Sequence, residues 1–178
     1  MKNLGDTDLK RLHREWRRRT SGRLALLLDS VQTPFNVGTI TRTAAAERVD
    51  HLFLAGSTPA PSHLKARKTS LGTERYLTWT HFEQVAGAID AAKDAGYRLV
   101  GIELADGAVP LHEVEMGDDV CLALGHEDKG LSSLTLAACD AVAFIPQLGR
   151  VGSLNVSQAA GIAIYEARRR SWSAAHGS

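Results

Sequence analysis

The chain has 178 residues, of which 44% are hydrophobic and 23% are charged, and its formal net charge is +1. This composition is typical of one globular domain that buries about 70% of the surface of its unfolded chain. No apolar run approaches the roughly 20 residues that span a bilayer, and the basic, polar N-terminus does not resemble a signal peptide. The sequence therefore predicts neither a membrane protein nor a secreted one.

Two cysteines lie in separate apolar runs, at Cys121 and Cys139, without the C-x-x-C spacing of a metal site. This placement favours buried, reduced thiols and a cytoplasmic protein. The seven histidines are scattered, and no His/Cys/Asp group has the spacing of a zinc site. We therefore expect no metal.

The charge is concentrated in an N-terminal arm, residues 1–23, which carries eight Lys/Arg against three Asp/Glu, while residues 24–178 have a net charge of −4. A basic arm on a nearly neutral body favours contact with a polyanion, usually a nucleic acid. The spacing of Leu9, Leu12 and Trp16 instead predicts an amphipathic helix docked on the body. The two interpretations are compatible.

Apolar runs of strand length alternate with segments of helical periodicity along the rest of the chain. Strands are predicted at residues 24–29, 51–56, 97–104, 120–125 and 141–145, and helices at residues 37–48, 81–95, 131–138 and 156–170. This alternation predicts an α/β fold with a mostly parallel sheet and helices on both faces.

The segment 145–170 combines a strand end, a turn and a long helix. Pro146 ends the strand, and Gly149 and Gly152 permit a sharp turn. Ser153 and Asn155 carry side-chain oxygens suited to capping the helix that follows, and the helix ends in basic residues 168–170 that complement its dipole. Such a turn at the carboxyl edge of a sheet is a common ligand site.

Two further strand-end turns, at residues 36–42 and 124–130, contain glycines beside polar groups, so three turns are expected to line one crevice. A phosphate loop is excluded because Leu131 stands where the motif requires lysine, and a Rossmann G-x-G-x-x-G and a G-x-S-x-G elbow are absent. A pocket for an adenosine without phosphates remains.

The residues in these turns form three motifs in order: N-x-G-x-[IL]-x-R-T-A, L-G-x-E-x-x-G-L and I-P-x-x-G-x-x-x-S-L-N-V-S. They begin at Asn36, Leu124 and Ile145. In this combination the sequence resembles the SpoU/TrmH family of SPOUT RNA methyltransferases over about residues 24–170. The resemblance implies methyl transfer from S-adenosylmethionine to a ribose 2′-hydroxyl of tRNA or rRNA, a C-terminal trefoil knot, and a homodimer.

The resemblance also implies roles for five catalytic residues. Arg42 is expected at the RNA phosphate and the reacting hydroxyl. Electrostatic positioning is preferred to a role as general base, because a guanidinium gives up its proton only at high cost. No residue is assigned as the proton acceptor. Asn36 is either a helix cap or a residue that orients Arg42, and Glu127 is expected to orient Arg42 or the target nucleotide. Ser153 and Asn155 are expected to face the cofactor and the ribose as well as to cap.

The resemblance places the donor against Leu124, Gly125, Ile145, Leu154 and Asn155, and topology adds Glu103 and Leu104 at a neighbouring strand end. Gln147 stands where many members of the family carry Met. Exposed cations are expected to contact RNA phosphates in a salt-dependent way. These cations are Arg11, Arg14, Arg17, Arg18, Lys65, Arg67, Lys68, Arg75 and Arg150.

The predicted division is an arm at residues 1–23 and a SPOUT methyltransferase domain at residues 24–178. The helix at residues 156–170 is apolar nearly all round, which favours a second subunit against it. The form of the third motif resembles guanosine-modifying branches more than the wobble-position branch. Two alternatives remain open: a non-catalytic RNA-binding relative and a flavodoxin-like nucleotide-binding module.

Overall fold

The computed structural model describes residues 2–174, and its centre is a seven-stranded sheet in which every neighbouring pair is parallel. The spatial order is β3-β2-β1-β6-β4-β7-β5. The strands are β1 Leu24–Asp29, β2 His51–Ala55, β3 Thr78–Phe82, β4 Arg98–Ile102, β5 Val109–Pro110, β6 Val120–Leu124 and β7 Ala141–Phe144. The α/β fold predicted from the sequence is confirmed.

Helices cover both faces of this sheet. They are α1 Asp6–Arg19, α2 Pro34–Ala46, α3 Leu64–Ser70, α4 Val85–Asp94, α5 Ser133–Ala138 and α6 Val156–Ala174. On one face α2 and α6 pack on Leu24, Leu26 and Leu28, and on the other α4 and α5 pack against the layer that contains Ala25 and Leu27. The alternate residues of β1 thus serve two cores, which explains why the strand is apolar from Leu24 to Leu28.

The five predicted strands are present, but the sequence reading missed β3, β5 and α3. The predicted helix at residues 81–95 was wrong at its start, because His81 and Phe82 belong to β3 and α4 begins at Val85. Strand β3 lies at the sheet edge and pairs only with β2 among the described strands. Its mostly exposed residues therefore lack the continuous apolar run of a central strand.

Helix α1 forms as predicted, but the expectation that its apolar stripe docks on the body was wrong for most of its length. No residue of α1 is buried, and Leu9 and Leu12 remain exposed. Contact is made at the C-terminal end, where the Trp16 ring lies 4.9 Å from the Trp172 ring and Trp172 Nε1 donates a hydrogen bond to Thr20 Oγ1 (2.8 Å).

The basic residues 168–170 do not end α6, which continues to Ala174, so the predicted dipole role was wrong. Arg168 is 5% exposed and donates hydrogen bonds to the carbonyl oxygens of Glu47 and Arg48 at the end of α2. Arg170 donates to the carbonyl oxygens of Leu111 and Val114. These two side chains satisfy carbonyl groups of neighbouring segments instead of those of their own helix.

Within the described residues, no helix has both the length and the apolar character needed to cross a membrane.

Candidate active site

A pocket of about 330 Å³ opens at the carboxyl edge of the sheet, where β4, β6 and β7 end beside the start of α6. We call it the strand-edge pocket. Six of the seven residues predicted to contact the cofactor line it, namely Glu103, Leu104, Leu124, Gly125, Ile145 and Leu154, whereas Asn155 is not among the lining residues. Ser153, Gln147 and Lys129 line it as well. The fold therefore brings the ends of three strands and two sequence motifs to one cavity.

One wall of the pocket is a tight hairpin between His126 and Gly130, closed by reciprocal backbone hydrogen bonds of 3.0 and 2.9 Å. A Cβ atom on Gly125 would lie 2.2 Å from the carbonyl carbon of Gly130. Gly130 has φ +69°, a left-handed conformation. Both positions therefore require glycine, and the hairpin can fold back against the end of β6 only with these residues.

The carboxylate of Glu103 joins two sides of the pocket. Its Oε2 accepts a hydrogen bond from the backbone N–H of Leu131 (2.9 Å), and its Oε1 accepts one from that of Leu104 (3.1 Å). Asp29 makes a similar link from β1, since its Oδ2 accepts hydrogen bonds from Ser132 N and Thr135 Oγ1. The loop between β6 and α5 is thus fixed at its end by two acidic side chains.

A chain of side-chain hydrogen bonds connects all three sequence motifs beside the pocket. Asn36 Nδ2 donates to Glu127 Oε1 (3.0 Å), and Asn155 Nδ2 donates to Asn36 Oδ1 (3.1 Å). Asn155 Oδ1 accepts hydrogen bonds from both N and Oγ of Ser157 (2.8 and 2.6 Å). Each amide has a fixed orientation because its two ends bind different partners.

Glu127 is held in its ionised form by this surrounding. Partial burial disfavours the charge, but hydrogen bonds from the Asn36 side chain and from the backbone N–H groups of Gln32 (3.0 Å) and Thr33 (2.9 Å) outweigh it. The pKa of Glu127 is consequently lowered to about 2. At neutral pH the group is a carboxylate that accepts hydrogen bonds and has no proton to donate.

The interpretation of Asn36 as a helix cap was wrong. Helix α2 begins at Pro34 with Thr33 in the cap position, so Asn36 lies inside the first turn and its side chain is available to Glu127 and Asn155. Asn155 does cap α6, because its Oδ1 accepts from Ser157 N. Ser153 precedes α6 by three residues and lines the pocket, so it is not the cap.

Arg42 lies apart from the strand-edge pocket. It is exposed on α2 and is not among the lining residues, and within residues 2–174 no hydrogen bond or ion pair holds its side chain. Its neighbours Thr39 and Thr43 line a second cavity of about 560 Å³ with Ile162 and Tyr165 of α6. The fold of this chain thus gathers Asn36, Glu127, Ser153 and Asn155 but leaves Arg42 outside.

The cations predicted to contact RNA are all exposed: Arg11, Arg14, Arg17, Arg18, Lys65, Arg67, Lys68, Arg75 and Arg150. Arg67 pairs with Glu74 (3.2 Å), and Arg75 stacks on the exposed ring of Tyr76 at 4.7 Å. Sequence reasoning missed Gln32 and Thr33, which act through backbone N–H groups, and it missed Lys129 as a pocket residue. Only the position of Gln32 and Thr33 after a strand end hinted at their role.

In the described residues, no three His, Cys, Asp or Glu side chains are grouped so that they could hold a metal ion.

Comparison with known proteins places this geometry in context. The sequence is 33% identical over 145 residues to a putative TrmH family tRNA/rRNA methyltransferase of Staphylococcus saprophyticus, with 82% of this chain and 58% of the relative covered. It is 34% identical over 148 residues to the 23S rRNA (guanosine-2′-O-)-methyltransferase RlmB of Acinetobacter baylyi, covering 83% and 60%. The chain therefore spans less than two thirds of the length of these curated relatives.

A solved structure agrees with the sequence relatives. The AdoMet-bound rRNA methyltransferase of Sinorhizobium meliloti superposes with a TM-score of 0.79 at 33% identity, covering 85% of this chain and 58% of that one. The sequence model of the SpoU rRNA methylase family matches residues 23–165, which include all three motifs. The chain belongs to the SpoU rRNA methylase family.

Proposed function

We propose that this chain transfers a methyl group from S-adenosylmethionine to a ribose 2′-hydroxyl of tRNA or rRNA, with guanosine as the favoured target. The observation that carries the proposal is the hydrogen-bonded chain Glu127–Asn36–Asn155 beside the strand-edge pocket. It unites the three motifs of the family at one place. The relatives named as tRNA/rRNA methyltransferases and the AdoMet-bound structural neighbour support it.

The strand-edge pocket suits the proposed cofactor. Apolar side chains of Leu124, Ile145 and Leu154 line it, as an adenine ring requires. Lys129 adds a cation to this lining, which also contains carboxylate side chains. The sequence contains neither of the phosphate-binding motifs sought, which favours a nucleoside ligand without phosphates. When bound, S-adenosylmethionine supplies the methyl group on a positively charged sulfonium that leaves as a neutral thioether.

The residues of the chain then position the RNA. The guanidinium of Arg42 holds the phosphate beside the target ribose and stabilises negative charge that develops on the 2′-oxygen. Glu127 fixes the amide of Asn36, and Asn36 fixes that of Asn155, so these groups keep one geometry at the mouth of the pocket. Such fixed positioning favours an in-line displacement.

The functional unit is proposed to be a homodimer with a C-terminal trefoil knot. The outer side of α6 exposes Ile162 and Tyr165 beside a cavity of about 560 Å³, an apolar surface of the kind that subunit interfaces cover. Arg42 is exposed near this surface instead of facing the pocket of its own subunit, which favours a site completed by dimerisation. The knot rests on membership of the family.

RNA capture is assigned to the N-terminal arm, to α3 with Arg75, and to Arg150, which present exposed cations. The division into an arm at residues 1–23 and a methyltransferase domain at residues 24–178 is retained as part of the proposal; residues 1 and 175–178 lie outside the described residues. The cytoplasm is the proposed location, which the two cysteines without a disulfide favour.

A non-catalytic RNA-binding protein is the second candidate, and the position of Arg42 outside the pocket is the observation that favours it. The two candidates differ in cofactor binding. Calorimetric titration with S-adenosylmethionine is expected to show saturable binding if the chain is a methyltransferase and no heat if it is not.

The decisive experiment is methylation of bulk tRNA and rRNA from a strain that lacks the gene, followed by mapping of 2′-O-methyl sites. Arg42→Ala is expected to lower methyl transfer by about 100-fold, as loss of one preorganised charge does elsewhere. Cofactor affinity should not change, and Lys93→Ala, on the opposite face, serves as the matched control. Label found only in a base, or full activity of Arg42→Ala, would contradict the proposal.

A further inference from the structure

A third cavity, of about 320 Å³, lies where the ends of α1, α2 and α6 meet; we call it the amino-edge cleft. It is lined by His13, Trp16, Arg17, Thr20, Ala45, Ala46, Glu47, Arg48, Arg168 and Trp172. Helix α6 connects it to the strand-edge pocket, and from Val156 to Trp172 that helix spans about 24 Å. The two sites are therefore at opposite edges of the sheet.

An aromatic wall forms one side of the amino-edge cleft. The rings of Trp16 and Trp172 lie 4.9 Å apart at an angle of 58°, and Trp172 is fixed by its hydrogen bond to Thr20. Trp16 nevertheless remains 40% exposed. The guanidinium of Arg19 lies over the Trp16 ring at 5.3 Å from its centroid, so a nucleobase would stack on the part of the indole that Arg19 and Trp172 leave exposed.

Cations surround this wall. Arg17 donates from Nε to the carbonyl oxygen of His13 (3.2 Å), and its guanidinium remains exposed. Arg48 is exposed too, and within the described chain no hydrogen bond or ion pair involves its side chain. Glu47 is also in the lining, and its carboxylate interacts electrostatically with the buried Arg168. The cleft thus combines a stacking surface with the exposed guanidinium groups of Arg17 and Arg48, which are suited to bind phosphate.

The backbone at Arg48 is unusual for arginine. Its φ is +51°, and the bonds Val49 N to Ala44 O (2.8 Å) and Arg48 N to Ala45 O (3.4 Å) form the motif in which helices normally end at glycine. The buried Arg168 binds the carbonyl oxygens of Glu47 and Arg48 and holds this conformation. A side chain at a position that favours glycine needs a reason other than stability.

We propose that the amino-edge cleft binds an unpaired nucleotide of the RNA substrate, with the base against Trp16 and its phosphate against Arg48 and Arg17. This inference rests on the proposed RNA substrate and adds a second contact point to it. Because the cleft and the strand-edge pocket are about 24 Å apart along α6, an RNA that touches both must reach over at least about seven stacked nucleotides.

The test is Arg48→Gly, measured for thermal unfolding and for binding of a fluorescein-labelled oligo(A) RNA by anisotropy over a series of salt concentrations. Glycine is preferred at this backbone position, so the variant is expected to melt at a higher temperature than the wild type. It should bind the RNA about tenfold more weakly, and its log–log salt slope should be shallower by about 0.7, the value for one phosphate contact on a single strand.

Trp16→Ala should weaken binding by about tenfold without changing the salt slope, because a stacked base carries no charge, and Trp16→Phe should restore part of the affinity. Lys93→Ala is the control for removing one cation from the opposite face. Unchanged RNA affinity in both Arg48→Gly and Trp16→Ala would overturn the inference. A change in the sedimentation coefficient alone would also overturn it, because the cleft would then be a contact site for protein. If the cleft binds oligo(A) but the protein transfers no methyl group to bulk tRNA or rRNA, the proposed function is contradicted and the inference about the cleft is not.

Discussion

At the scale of single residues, the candidate site depends on side chains whose partners are distant in sequence. Asn36 and Glu127 are 91 residues apart, and Asn36 and Asn155 are 119 apart. The motifs predicted that these residues would share one crevice, but a local pattern contains no information about which amide binds which carboxylate. The same pattern suggested a cap role for Asn36 because a short amide after a strand is usually a cap.

The ionised Glu127 should make the free energy of unfolding depend on pH. Its pKa is lowered from an ordinary 4.5 to about 2, so its stabilising effect is complete above pH 4.5 and is lost as the pH falls towards 2. Glu127→Gln should lower the free energy of unfolding by about 1 to 3 kcal/mol at pH 7, since hydrogen bonds to a charged group are lost. Urea unfolding should show the difference from wild type shrinking between pH 4.5 and 2; a constant difference would contradict an ionised Glu127.

At the scale of elements, periodicity predicted the central strands well because each is apolar on both faces. It failed at the margins of the sheet: β3 has mostly exposed residues and β5 only two. The end of α6 was also mispredicted, because a run of three arginines is a typical helix terminus and only the tertiary structure gives Arg168 and Arg170 their carbonyl partners.

Arg168 joins α6 to the carbonyl oxygens at the end of α2. Arg168→Ala should lower the free energy of unfolding by about 3 kcal/mol, since it leaves the carbonyl oxygens at the end of α2 without their donors. Arg169→Ala, which removes the ion pair between an exposed guanidinium and Glu166, should destabilise the fold less than Arg168→Ala and is the matched control. The measurement is chemical denaturation at neutral pH, and equal effects in the two variants would show that the Arg168 contacts contribute little.

At the scale of the whole molecule, the open question is how Arg42 meets the other candidate residues. The family resemblance implied both a homodimer and a catalytic Arg42, and in the structure Arg42 stands outside the pocket, near the exposed side of α6. The proposed second subunit would bring Arg42 to the other candidate residues. No pattern in one chain specifies such a meeting, because it depends on a surface formed only after folding.

Ile162→Glu tests this arrangement. Placing a carboxylate in the exposed apolar surface of α6 should convert a dimer into a monomer in sedimentation velocity, because burial of an unpaired charge is costly. Methyl transfer should be lost in parallel, whereas Ala86→Glu, on exposed α4 at the other face, should change neither property. A monomeric variant with full activity would show that one subunit contains the complete site.

The strand order also affects how the chain folds during its synthesis. β1 lies between β2 and β6, and Leu24 is in register with Val120, so one side of this buried strand has no partner until residues 96 positions later have been synthesised. At roughly 5 to 20 residues per second, that delay on the ribosome is about 5 to 20 s. During this time β1 and β2 can pair, but the free side of β1 exposes unpaired backbone N–H and C=O groups beside apolar side chains. Such an edge is a natural binding target for a cellular chaperone.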